Sequence, residues 1–147
     1  MHAAGLSMQS HADEHVYLSE LQPDDIRQQL DRSKKRLEDA LGAEVTVLAP
    51  PGGRYDARVE QIAWDVGYHA MAVSRPGHMA SPNQRIVPRY AVLHNTSSEQ
   101  VTQLLDVRSK AARRQVAKYR ITGLAKRLLG NQRYEKVRER LLGASHD

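Results

Sequence analysis

The sequence predicts an α/β fold with parallel strands, and three observations carry that expectation. Short β-branched or apolar runs alternate with helical patterns. The helical patterns carry proline, aspartate or serine at their starts and glycine at their stops. The residues best suited to chemistry all fall just after strand-like runs, where ligands bind in parallel α/β sheets and barrels.

In chain order, Gly5-Leu6-Ser7-Met8-Gln9 reads as a first short strand, followed by Ser10-His11-Ala12-Asp13-Glu14-His15. If a helical turn starts at His11, a period of 3.6 residues sets both imidazoles on one face, where they can share one metal ion. The bland alternative is chance, because seven histidines in 147 residues sometimes fall four apart. A helix is expected from Pro23 to Leu41. Pro23 suits a first helical position, Asp24 and Asp25 suit the first turn, and Gly42 is the stop. Ile26, Leu30, Leu37 and Leu41 form its apolar stripe, with Ser33 and Ala40 at small positions. Glu44 to Leu48 reads as the next strand and runs into Ala49-Pro50-Pro51-Gly52-Gly53-Arg54. Regular structure is impossible in that loop, and backbone can approach a ligand closely there.

A second helix turns Val59, Ile62, Ala63 and Val66 inward and stops at Gly67. Tyr68 to Ser74 follows as a buried strand, broken by Arg75-Pro76-Gly77. Residues 77–88 read as polar and irregular, and Tyr90 to Leu93 as a last strand. Ser97 and Gln100 form a capping pattern that opens a helix through Leu104 and Leu105.

Length fits one domain or a small domain with an appendage. No apolar run is long enough to span a membrane. No signal peptide is visible at the start, which leaves the compartment open with the cytoplasm as the default. The chain has no cysteine, which excludes disulfides and thiolate zinc sites, so any metal must be held by nitrogen and oxygen. Charge is unevenly spread. Residues 101–147 carry a net +8 and the preceding hundred a net −3, which points to two functional units, 1–105 and 106–147.

The residues together resemble a known family. Gly5 to Leu18, with His11 and His15, is similar to the second motif of polysaccharide deacetylases, the NodB-homology group or carbohydrate esterase family 4. That motif reads G-H-E-I-G-S-H-[ST]-x-x-H-x-x-L. Pro23 to Leu41 resembles the helix that follows it in that family. Pro50-Pro51-Gly52-Gly53-Arg54-Tyr55-Asp56 resembles the third motif in its P-G-G-x-Y-D form, one wall of the substrate groove. Gly67-Tyr68 and Val73-Ser74-Arg75 resemble the next helix end and strand. Val87-Pro88-Arg89-Tyr90 resembles the L-P-R segment of deacetylases found with exopolysaccharide synthesis.

The resemblance implies a partial (β/α) barrel of the polysaccharide deacetylase type, followed by a basic helical C-terminal extension. It implies zinc or another divalent metal held by His11 and His15. Pro51, Gly52, Gly53, Arg54, Tyr55 and Arg75 would then line a groove for an N-acetylated polysaccharide or oligosaccharide. Departures from the pattern limit the activity to be expected. The family's Asp-Asp motif, source of the general base and the third metal ligand, has no counterpart before His11, so the chain reads as beginning at the second motif. Ala12 replaces the usual Ser/Thr, and Ala49 stands where other members have arginine. Val92-Leu93-His94 superficially fits the L-x-H pattern of the general acid, making His94 the candidate catalytic residue, although the loop after it aligns with non-catalytic residues. Weak or absent metal binding and negligible hydrolysis are expected from this chain alone.

Each candidate also has a plain reading. Asp13 and Glu14 read as solvated acids rather than ligands. Arg54 either clamps a sugar or pairs with Asp56. Arg75 and Arg89 either meet substrate or bond to carbonyls, and Trp64 reads as helix-face packing. Residues 109–142 read as an amphipathic basic helix interrupted at Gly123 and Gly130, with stripes of Ile121, Leu124, Leu128 and Tyr134, Val137, Leu141. Such a segment suits an anionic membrane surface, an acidic polysaccharide or docking on the body. Nucleic acid ranks lower, because no reading motif is present. A barrel without its first strands is expected to leave an open sheet edge, prone to self-association. The rival to an enzyme is a non-catalytic remnant that binds carbohydrate or membrane surface.

Overall fold

A computed structural model describes residues 4–129. The chain divides into two compact units, Met1–Ala91 and Val92–Asp147, a division that falls ahead of the boundary expected from composition.

The first unit is α/β, as predicted. Strands β1 (Val47–Leu48), β2 (Ala70–Val73) and β3 (Ile86–Pro88) form one parallel sheet in the order β1-β2-β3. Helix α1 (Pro23–Leu41) precedes β1, and helix α2 (Ala57–Asp65) crosses from β1 to β2. In α1, proline occupies the first turn, and Gly42 closes the helix at φ 62°, its N–H returning to the Glu38 carbonyl. Glycine adopts that left-handed conformation without a Cβ penalty. The α1 stripe buries Ile26 and Leu30 fully, while Leu37 and Leu41 pack at the margin of the core. Helix α2 starts at Asp56, whose carboxylate accepts from the N–H groups of Arg58 and Val59. It presents Val59, Ile62 and Ala63 to Leu48, Met71 and Val73 of the sheet, with Leu18, Val45 and Tyr68 completing the core.

A second tie joins α1 to the entry of β1. Lys34 Nζ donates to Glu38 Oε1 (2.7 Å) and to the Val45 carbonyl (2.6 Å), and Val45 N–H donates to Glu38 Oε1 (2.9 Å). The Lys34 bond and the Val45 N–H hold the Glu38 carboxyl below its ordinary range.

Two expected strands are corrected. Residues 5–9 are not a strand, because Gly5 turns at φ 82° and only Ser10 reaches the sheet, as an isolated parallel bridge to Leu48. Residues 90–93 are irregular, with Val92 and Leu93 59% and 60% exposed and so without burial to reward pairing. The last strand lies earlier, inside the stretch read as irregular, where Ile86 packs on the core.

In the second unit, α3 (Ser98–Leu104) opens on the expected capping box of Ser97 and Gln100, and α4 spans Lys110–Leu129. Gly123 does not interrupt α4, since no neighbouring atom crowds it and helix continues on both sides. Gly130 and the stripe of Tyr134, Val137 and Leu141 lie outside the described residues. Among those described, no helix is long and apolar enough to cross a membrane.

Candidate functional site

The histidine pair stands on a buried polar footing. Ser10 N–H donates to the Val47 carbonyl (3.1 Å), and Ala49 N–H donates to the Ser10 carbonyl (2.8 Å), which pins Ser10 beside β1. Its side chain lies 2.8 Å from the Ser33 hydroxyl of α1 and accepts from Ala12 N–H at 3.3 Å. Ser10 and Ser33 are the buried polar residues among those described. Close by, Tyr68 donates to the Leu30 carbonyl at 3.2 Å. Burial pushes the Tyr68 phenol up, against the opposing pull of the Ser10 and Ser33 hydroxyls.

The pair is brought together, but not by a helix. Ala12 has φ 66°, and the segment from Asp13 to His15 is a bend. The turn at Ala12, anchored on Ser10, folds His15 back so that the two rings lie 5.1 Å apart and tilted by 52°. His11 Nδ1 is 2.5 Å from the Ala49 carbonyl oxygen. A carbonyl only accepts, so Nδ1 carries the proton and the Nε2 lone pair is left available. Both rings are exposed.

The neighbouring acids are engaged elsewhere. Asp13 accepts from Arg36 at 2.6 Å, and its side chain is only 11% exposed, which corrects its reading as a solvated acid. Glu14 is tied to Gln29, through its N–H (2.8 Å) and its carboxylate (3.4 Å). The donor set therefore fits two ligand positions of a divalent metal, and no third histidine, cysteine or carboxylate joins the pair among the described residues.

The loop after β1 lies at the same end of the sheet. Gly52 and Gly53 both have positive φ, 62° and 65°. A Cβ on Gly52 would stand 2.6 Å from the Tyr17 ring, and one on Gly53 would stand 2.3 Å from Ser74 Oγ. Only glycine lets the loop lie against both neighbours. Pro51 is buried, and Tyr55 is half-buried against the core. Arg54 stacks over the Tyr17 ring at 3.9 Å and pairs with Glu20 at 3.1 Å. Of the two readings of Arg54, the pair with Asp56 does not form. Asp56 caps α2 and pairs with Arg58 at 2.8 Å, and the Val59 N–H leads in holding its carboxyl low.

After β2, Arg75 is exposed, and its carbonyl accepts from Arg89 N–H at 3.1 Å. Arg89 Nε donates to the Val73 carbonyl at 3.4 Å, the structural reading of that arginine. Trp64 is covered by the Arg85 guanidinium at 3.8 Å. His94 is exposed and belongs to the second unit. Sequence reasoning missed Tyr17, Glu20 and Gln9. The signal for Tyr17 was present, since an aromatic two residues after His15 and a glycine pair invite close packing.

Residues 1–71 match the family model described as polysaccharide deacetylase. That stretch, just under half of the chain, is similar to the polysaccharide deacetylase family. A Bacillus subtilis protein assigned to these deacetylases, YxkH, is 29% identical over 73 residues, which cover 50% of this chain and 26% of that protein. Among solved structures, the Streptococcus pyogenes deacetylase PplD, in complex with acetate, is 28% identical with a TM-score of 0.63. The likeness covers 68% of this chain and 45% of that one. A polysaccharide deacetylase from Bacillus cereus is 25% identical with a TM-score of 0.63, over 71% of this chain and 34% of that one. The chain therefore spans less than half the length of each of these deacetylases.

Proposed function

We propose that this chain forms the metal-binding and groove-forming part of a polysaccharide deacetylase site that hydrolyses N-acetyl groups on a carbohydrate, in exopolysaccharide metabolism. The observation that carries the reading is the His11/His15 pair, with rings 5.1 Å apart and the His11 tautomer set by the Ala49 carbonyl. His11 and His15 would hold zinc or another divalent ion. When bound, such an ion polarises an acetamide carbonyl and acidifies water. The groove would be walled by Pro51, Gly52, Gly53, Arg54 and Tyr55 with Arg75, and the parallel sheet would form part of a (β/α) barrel. His94 remains a candidate general acid by its L-x-H pattern alone.

With two protein ligands instead of the usual three, metal binding by this chain is weak and acetate release negligible. Titration calorimetry with zinc tests this, together with acetate release from N-acetylated oligosaccharides. A tight stoichiometric site lost in His11→Ala, with turnover, would overturn the expected inactivity. Equal heats for the wild type and His11→Ala, with no binding in either, would overturn the metal assignment.

A second reading rests on α4, where Lys110, Arg113, Arg114, Lys118 and Arg120 are exposed alongside Tyr119, Ile121 and Leu124. In this reading the chain is a non-catalytic binder of anionic membrane surface. Flotation with vesicles rich in anionic lipid, weakening as salt rises, supports it. Binding indifferent to salt or to lipid charge counts against it.

A further inference from the structure

The edge of β1 is closed by a side chain. At Ser10 the backbone pairs as in a parallel ladder, through Ser10 N–H to the Val47 carbonyl and Ala49 N–H to the Ser10 carbonyl. Continued one rung toward the N-terminus, that ladder would give Val47 N–H a backbone carbonyl from the preceding segment. It receives the Gln9 side chain instead. Gln9 Oε1 accepts from Val47 N–H at 2.8 Å and from Thr46 N–H at 3.1 Å. The same amide is steadied from its other end, where Nε2 donates to Ser7 Oγ at 2.8 Å. On the inner side, the Thr46 carbonyl is taken by the N–H groups of His69 and Ala70. One amide group therefore occupies the Val47 donor that a further backbone rung would use, and takes the neighbouring Thr46 N–H with it. In the motif this stretch resembles, glycine stands in the place of Gln9, and glycine has no side chain to do this.

We propose that Gln9 is a built-in edge cap, which holds the β1 edge shut against pairing with the β1 edge of a second copy. An uncapped edge carries N–H groups aligned for backbone pairing, and two identical edges can meet about a twofold axis. The cap works by satisfying Thr46 and Val47 within the chain, so pairing offers no new hydrogen bonds to offset the lost freedom of association. The proposal is independent of any metal or substrate.

The test uses the full chain, with sedimentation velocity over a concentration series and amide hydrogen exchange at Thr46 and Val47. The wild type is expected to be a monomer with both amides protected. Gln9→Leu keeps bulk but loses the acceptor, so it should form dimers with rising concentration. Its two amides should exchange about tenfold faster when dilute. Gln9→Glu retains an acceptor for both N–H groups and should remain monomeric at neutral pH. Ser7→Ala, which only frees the amide, should raise exchange without unfolding the chain, and it serves if Gln9→Leu fails to fold. A wild type already paired through β1, unprotected Thr46 and Val47 amides, a Gln9→Leu that stays monomeric, or a Gln9→Glu that associates equally would each overturn the proposal.

Discussion

The two units of the chain are built from similar local signals but are held in different ways. In the first, capped helices meet a sheet, and eleven apolar side chains from Leu18 to Val73 form one buried cluster. In the second, α3 and α4 start on Ser97 and Ser109 hydroxyls, yet among the described residues only Leu104 and Ala112 are buried, while Val101, Leu105, Val107, Tyr119, Ile121 and Leu124 stand exposed. The difference teaches that caps and helical period determine where helices occur, whereas burial determines how firmly they are held. The two proposed functions would divide along the same line. A metal held by the histidine pair would need positions set by the packed unit, whereas attachment of α4 to an anionic surface would rest mainly on its charge.

The largest expected effect tests that contrast directly. Leu48→Ala, at a fully buried position of β1, should destabilise the first unit by about 2–5 kcal/mol. Leu105→Ala, at a side chain 78% exposed, should change stability by no more than about 0.5 kcal/mol. Urea unfolding followed by Trp64 fluorescence and by far-ultraviolet dichroism separates the two. Equal losses would erase the distinction.

Next in size is Gly53→Ala. It combines an unfavourable φ of 65° with a methyl driven onto Ser74, for a cost of about 1–3 kcal/mol in the same unfolding measurement. A neutral result would show that the loop does not lie against Ser74.

The smallest effect is on acid sensitivity. Glu38 and Asp56 are both held below their ordinary values of 4.5 and 3.8 in the folded chain. Their contribution is complete above those ordinary values and is lost as pH falls through them toward the lowered ones. Trp64 fluorescence should therefore report acid weakening of the first unit, with a shallower slope in Glu38→Gln. An unchanged slope would remove the Lys34–Glu38–Val45 tie from the account.

Much of this was legible in the sequence for identifiable reasons. Pro23 and Gly42 bounded α1, Ser97 with Gln100 opened α3, and the Pro-Pro-Gly-Gly run marked a loop of close approach. All of these are local signals, carried by residues that act on their own backbone. What was missed depends on partners distant in sequence. Strand pairing fell to Ile86–Pro88 because Ile86 finds the core and Val92 does not. Arg54 turned to Glu20 because Tyr17 provides a face for it, and Asp56 was already committed to its helix. The histidine spacing was read correctly as a meeting of rings but with the wrong backbone, because the anchor is Ser33, twenty-three residues from Ser10.

That backbone has an energetic consequence at Ala12. It is the non-glycine residue with positive φ among those described, and it sits between the two imidazoles. A left-handed alanine stores about 1–3 kcal/mol, which the surrounding hydrogen bonds must hold in place. The rings are thus presented in a loaded conformation, and any opening of the Ser10 anchor releases that load. The segment that brings the histidines together is therefore also poised to let them part.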